Sequence, residues 1–408
     1  MKKFFKITLA AIMIAAVAVP AMATESRLNA LGDVDNYIED DANIFKWPAT
    51  LPSYANLVIV DLEAGEGVYG TYGFIYGLGE YGDYGTIGLF FMENTHGPND
   101  IMGGMSLWFN SDVFSSTLDN KYSLVYAYEM DKMALGFKFS RASASMLYDD
   151  GTNEMDETQA YTTIGASFRM DINDEMYADI GFDYTMASWT VENDPAEPYG
   201  DLSADPGRKM EFNGRLFYEY SETITFIPYI GFTTQEYNLE ADDNDLYISG
   251  EEMTGIKAMS FDLGMAANFE VNEDNMLIFG IEPFKYMKVE PSVYEDGFNG
   301  SFELTGTIMP RFLLALETDV KEWLTVRTGC YKSLGKMKYT YDDGTNEETY
   351  EATEAPFDWH LGLAFHVSDF DIDCVLAKET PFVLGNWLTG YDEYDQHVIT
   401  KMTAVYHF

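Results

Sequence analysis

Two stretches of the chain are the same seven residues, and both are dense in oxygen donors: Tyr148-Asp149-Asp150-Gly151-Thr152-Asn153-Glu154 and Tyr341-Asp342-Asp343-Gly344-Thr345-Asn346-Glu347. Carboxylates and amides in such a run suit a hard cation such as calcium, which takes roughly six to eight oxygens. Asp149, Asp150, Asn153, Glu154, Asp342, Asp343, Asn346 and Glu347 are the candidate ligands for loop-bound Ca2+. A plainer reading stands beside it, because Asp-Gly is a strong turn signal and would set the tip of a hairpin. A third acidic stretch, with Asp242, Asp243, Asp245, Glu251 and Glu252, lacks the glycine of an EF-hand loop. No other cofactor is suggested.

Catalytic groupings are sparse. Histidine occurs only at His96, His360, His366, His397 and His407. There is no Gly-x-Ser-x-Gly elbow, phosphate loop or zinc spacing, so the sequence does not point to an enzyme. The charged residues that remain fall into a pattern of another kind. Lys138, Arg169, Asp179, Asp183, Glu211, Arg215, Glu219, Asp262, Glu270, Glu303, Arg311, Arg327, Asp358 and His360 each alternate with apolar neighbours. Rings of mixed charge can line a water-filled pore, or they can satisfy a closed interior by internal ion pairing. A lumen for acyl chains would need an apolar stripe instead, for which Phe217, Met309, Leu313 and Phe284 are the candidates.

The elements that must hold these residues have period two. Met259, Phe261, Leu263, Met265, Ala267, Phe269 and Val271 alternate with Ser260, Asp262, Gly264, Ala266, Asn268 and Glu270. Successive side chains of a strand point to opposite faces, so each such run has one greasy and one polar side. Sixteen runs can be counted from about Leu57 to the end, or fourteen if the first hairpin stays out of the wall. Short connections such as Met130-Asp131-Lys132 and Ser221-Glu222-Thr223 alternate with long ones at 146–158, 192–208, 240–256, 292–299, 341–355 and 379–395. That alternation is the habit of outer-membrane barrels. The fold expected is all-β, a transmembrane antiparallel up-and-down barrel over 56–408, bathed in outer-membrane lipid.

Both ends agree with export. Lys2, Lys3 and Lys6, an apolar run from Ile7 to Val19 and Ala21-Met22-Ala23 make a secretory signal over 1–23. It implies passage through the general secretory pathway to the outer membrane of a Gram-negative cell. Removing it leaves 21 basic against 68 acidic residues. Such a surface excludes nucleic acid as a partner. At the other end Val398, Met402, Ala404, Tyr406 and Phe408 share a face, and the chain closes on the aromatic. Tyr406 and Phe408 resemble the signature read by the barrel-insertion machinery. Oligomeric state leaves no mark. Cys330 and Cys374 fall on strands separated by a third, out of disulfide reach.

Between signal and barrel lie residues 24–55, with Ala30-Leu31-Gly32, then Asp40-Asp41, then Trp47-Pro48-Ala49. This resembles the N-terminal motif of the FadL-type transporters of hydrophobic compounds and their PorV-like relatives, in which Ala-Leu-Gly precedes an Asp pair and an Asn-Pro-Ala. The Asn is missing here, and the segment after the pair is one residue shorter. The resemblance implies that Ala30, Leu31, Gly32, Asp40, Asp41, Pro48 and Ala49 belong to a small hatch inside the barrel; a periplasmic tail with a turn at Pro48 is the other reading. The segment His96 to Asp119 is also too apolar for a free loop. Ile101, Met105, Trp108 and Phe109 would form an infolded constriction, or a short extra strand at 104–110. The function expected is a channel or transporter for passive passage of small solutes or hydrophobic compounds; the rival is a non-conducting structural or surface-interaction barrel with acidic, cation-binding outer loops.

Overall fold

The protein is described here from a computed structural model, over residues 25–32, 34–63, 69–79, 82–95, 118–149, 154–194, 202–238, 240–241, 247–248, 251–294, 301–342, 347–376 and 399–408. Sixteen strands close an antiparallel barrel. They are β1 (Leu57–Glu63), β2 (Tyr69–Gly77), β3 (Thr86–Thr95), β4 (Leu118–Met130), β5 (Met133–Asp149), β6 (Glu154–Asn173), β7 (Met176–Asp194) and β8 (Leu202–Ser221). The remainder are β9 (Ile224–Asn238), β10 (Glu251–Asn272), β11 (Asn275–Tyr294), β12 (Ser301–Lys321), β13 (Leu324–Asp342), β14 (Phe357–Val367), β15 (Phe370–Leu376) and β16 (Ile399–His407). The first hairpin is part of the wall: β1 pairs with β2 on one side and with β16 on the other, from Leu57↔His407 to Glu63↔Lys401. Closure leaves no edge of unpaired backbone in lipid.

The outward face is greasy because one face of every strand is. Phe91, Phe137, Ile164, Phe279 and Leu314 lie exposed on it, as a lipid-facing band requires. Among the described residues no helix is long and apolar enough to span a membrane; the strands do the crossing. Phe74, Tyr76 and Phe408 stack at the short-turn end, with Phe408 6 Å from each ring (5.9 and 6.4 Å). The Phe408 amide also donates to the Asn56 carbonyl, so the last residue ties the closing strand to the start of the first.

Two sequence expectations are corrected by the ladder. The long connections are shorter than composition suggests, because strands run on through acidic stretches with no apolar face. β6 begins at Glu154 and β8 at Leu202, and a further strand, Glu347–Glu354, pairs with the top of β13 outside the ring. Ladder hydrogen bonds form without an apolar face once the strand has left the membrane, so hydropathy alone misplaces those boundaries. The repeated heptapeptides are accordingly hairpin ends, with Asp149 opposite Glu154 and Asp342 opposite Glu347; Asp150, Asn153, Asp343 and Asn346 at their tips lie outside the described residues.

The second correction is one of face. The β12–β13 register shifts between Ile308 and Arg311. A bulge adds one residue on one strand and reverses the parity beyond it. Below it, Arg311, Leu313 and Ala315 face inward; above it, odd-numbered residues face out. Glu303 therefore leaves the lumen and pairs at 3.0 Å with Lys288 on the outer surface. Met309, at the bulge, is exposed on the outward side and contributes nothing to an inner stripe. Phe284 stands opposite outward-facing Leu263 and is likewise outside.

Candidate functional site: the filled lumen

Residues 25–55 lie within the barrel. A one-and-a-half-turn helix α1 (Glu25–Ala30) packs on β13 to β16, and a 3-10 segment (Pro48–Tyr54) packs across the lumen on β2 to β6. Between them, residues 34–47 reach β7 to β12. The segment thus touches the wall all the way round, and its Leu31, Val34, Tyr37, Ile44, Trp47 and Leu51 are almost wholly buried.

The residues of the N-terminal motif set this path. Ala30 packs against Gly362, where a Cβ would collide with it. Gly32 takes φ = 81°, the left-handed conformation that ends a helix at little cost in glycine, and turns the chain at the wall. There the wall itself must be thin: a Cβ on Gly329 would overlap the Leu31 carbonyl. Asp40 caps the next 3-10 turn, accepting from the Ala42 amide at 3.1 Å, and pairs with Arg27 at 3.1 Å; Asp41 is buried in that turn. Pro48 opens the last 3-10 segment, and the Ala49 amide donates to Ser167 Oγ at 2.6 Å.

Charged side chains of the wall converge on the segment. Glu317 of β12 accepts both prongs of the Arg27 guanidinium (2.9 and 3.0 Å), and also pairs with Arg327, which reaches Asp373 on β15. Asp179 of β7 holds Arg169 through two bonds (2.7 and 3.0 Å) and Arg215 through one (3.0 Å). Those arginines in turn reach the segment: Arg169 pairs with Glu39, and Arg215 Nη1 donates to the carbonyls of Asp35 (3.2 Å) and Ile38 (2.8 Å). Arg215 also lies over the Trp47 ring at 3.8 Å. Lys138 bridges Asp183 and the Phe45 carbonyl. At the seam Lys401 bridges Glu25 and Asp61, and Thr403 holds Ser26 at 2.5 Å. Tyr37 donates to Glu282 at 3.1 Å, and burial first, then that carboxylate, push its phenol well above its ordinary range, so it remains a donor.

Of the lining residues read from the sequence, Lys138, Arg169, Asp179, Asp183, Arg215 and Arg327 thus meet in networks that hold the segment. Glu211 pairs with Lys209 (3.1 Å), Arg311 with Glu282 (3.3 Å), and Asp358 accepts from Tyr331 (3.1 Å), all on the inward face. His360 is buried on that face beside Asp358. Asp262 stands 3.7 Å from Lys285. Glu219 and Glu270 are exposed near the short-turn end, Glu219 on the rim of a cavity of about 270 Å3 with Lys132 and Tyr177. Glu317, Asp373, Asp61 and Lys401 were missed, although Glu317 follows Arg311, Leu313 and Ala315 in strict alternation. Of the four apolar-stripe candidates, Phe217 and Leu313 do face inward; missed were Ile227, Tyr229, Ala266, Ile278 and Ala315, which join them on β8 to β12 under Leu28, Leu31, Val34, Tyr37 and Ile38. Several of those strands are apolar on both faces there, which hides the stripe from a period-two reading. Ile101, Met105, Trp108 and Phe109 lie outside the described residues.

No family model and no curated protein matches the chain. Solved structures similar in fold include the Pseudomonas putida toluene transporter TodX, 10% identical, over 95% of this chain and 97% of that one, with TM-score 0.41. The ferric-catecholate import receptor Fiu of Escherichia coli is 9% identical over 86% and 81%, with TM-score 0.36. The alcaligin receptor FauA of Bordetella pertussis is 7% identical over 86% and 75%, with TM-score 0.40. Likeness of this size concerns the barrel and nothing that passes through it.

Proposed function

We propose that the protein is a gated outer-membrane transporter in which residues 25–55 are a removable hatch. The observation that carries this reading is the way the segment is held: by side-chain ion pairs and hydrogen bonds from a wall whose own strands are complete without it. A permanently open porin is disfavoured, since charged groups that would line a water-filled pore are engaged with one another and with the segment. The apolar stripe under Leu31, Val34 and Tyr37 supports small apolar or amphipathic cargo over ions, because a hatch that shifts there uncovers a greasy track flanked by charge. The N-terminal resemblance to FadL-type transporters points the same way.

The test is conductance and cargo uptake with purified protein in planar bilayers and liposomes. The unaltered protein is expected to be almost silent to ions. Glu317→Gln combined with Glu39→Gln, which release Arg27 and Arg169 from their partners across the hatch boundary, should give long-lived openings. A doubly substituted protein that folds and stays silent would count against the hatch.

A further inference from the structure

We infer that the outward face of β8 to β13, just above the greasy band, is a docking surface for the phosphate groups of outer-leaflet lipid. The apolar rows end abruptly there. On β10 the outward series Val271, Phe269, Ala267, Met265, Leu263, Phe261 and Met259 gives way to Lys257; on β11 Phe279, Phe284 and Tyr286 give way to Lys288 and Glu290. On β8 Met210 gives way to Arg208, and on β9 Phe232 and Thr234 give way to Glu236.

These charges form a ladder from strand to strand as far as Glu303. Arg208 stands opposite Glu236, which pairs with Lys257 at 2.9 Å; Lys257 stands opposite Glu290, which pairs with Lys288 at 2.5 Å; Lys288 pairs with Glu303 at 3.0 Å. Beyond Glu303, Lys336 pairs with Glu351 of the 347–354 strand at 2.8 Å, and Lys338 stands opposite the same carboxylate. The bulge in β12 is what brings Glu303 onto this face.

Two features pick out lipid phosphate as the occupant. The first is height. Lys288 stands thirteen positions above the turn at Asn275, about 34 Å for a tilted strand, whereas the greasy band of such barrels is ~25 Å tall. The ladder therefore starts at the headgroup level, where a bilayer leaflet necessarily abuts the wall. The second is charge. In a chain with 68 acidic and 24 basic residues, this strip carries Arg208, Lys257, Lys288, Lys336 and Lys338 against four carboxylates, Glu236, Glu290, Glu303 and Glu351. Lys257 and Lys336 keep more than half of their side-chain surface exposed despite their ion pairs. An ammonium presents three donors, so one carboxylate leaves others free for a phosphate. The carboxylates between the cations space them and prevent self-repulsion when no lipid is bound.

The experiment uses the full-length protein in detergent with bis-phosphorylated lipid A in mixed micelles, its phosphate-free counterpart, and inorganic phosphate alone. Affinity for the phosphorylated lipid should fall by about fivefold for each lysine removed in Lys257→Gln, Lys288→Gln and Lys336→Gln, with heat-modifiable gel mobility showing that the barrels are folded. Glu236→Gln with Glu290→Gln should raise affinity instead, which a merely structural ladder would not do. Equal binding of the phosphate-free lipid, unchanged binding by the triple variant, or inorganic phosphate bound as tightly as the lipid would each overturn the proposal. None of these readouts involves passage through the lumen, so failure here and failure of the hatch are separable.

Discussion

Glu317 carries two guanidinium groups at once, and each of them has one further carboxylate, Asp40 for Arg27 and Asp373 for Arg327. Their side chains are about four-fifths buried or more (21%, 18% and 7% exposed for Arg27, Glu317 and Arg327). Removing the shared carboxylate therefore leaves each cation with one carboxylate in place of two, in an environment between a solvated surface and a true interior. An exposed pair would cost little and a fully buried one about 3–5 kcal/mol. Glu317→Gln should accordingly loosen the hatch by about 1–3 kcal/mol, read as earlier proteolysis at Arg27 and Lys46 in rising urea; unchanged protection would show the pair to be superfluous. Gly329→Ala tests the same interface without touching charge. Its methyl would overlap the Leu31 carbonyl, a backbone group that no side-chain rotation can move aside, so the hatch must move away. The expectation is proteolysis of the hatch in a barrel whose gel mobility is unchanged.

At the scale of elements, α1 and β16 are joined by Ser26 and Thr403, whose hydroxyl oxygens lie 2.5 Å apart. Cysteines at both positions, with Cys330 and Cys374 replaced by alanine, should form a disulfide on oxidation that pins the helix to the seam. Oxidation should then abolish the openings produced by Glu317→Gln with Glu39→Gln, and reductant should restore them. Openings that persist in fully cross-linked protein would place the moving part elsewhere. The strands were legible in advance because each lipid-facing strand must alternate and each backbone must pair; their order follows from that, while the choice of sixteen over fourteen needed the pairing of β1 with β16. The faces of inner residues were legible wherever polar and apolar residues alternate, as in Glu211 to Glu219. They were not legible past the bulge at Met309-Pro310, which moves Glu303 outside without any change in composition. Nor could period two reveal Ile227, Ala266 or Ile278, whose strands are apolar on both faces under the hatch. The hatch itself was visible only as a short motif, since Gly329, Gly136 and Gly264, the wall positions that make room for it, look like ordinary strand glycines.

For the whole molecule, wall and hatch make different demands. The wall has its ladder closed by β1 and β16, and a barrel of this strand number leaves an aqueous channel when nothing fills it. Deleting residues 25–52 should therefore give a folded, heat-modifiable barrel with steady ohmic conductance. The chain carries 68 acidic residues against 24 basic ones, and acids such as Asp149, Glu154, Asp156, Glu192, Asp194, Glu347 and Glu348 stand on the long strand ends at the outer mouth. A mouth of one sign raises the local concentration of counter-ions, so the deleted form should prefer cations. That preference should shrink as ionic strength rises from ~0.1 M to ~1 M and the screening length falls from about 10 Å to about 3 Å. Reversal potentials under a salt gradient measure both. A preference for anions would mean that the inward arginines and lysines, Lys401 and Arg169 among them once freed of Glu25 and Glu39, dominate over the mouth. A deleted barrel that is folded yet silent would mean that residues other than 25–55 close the lumen.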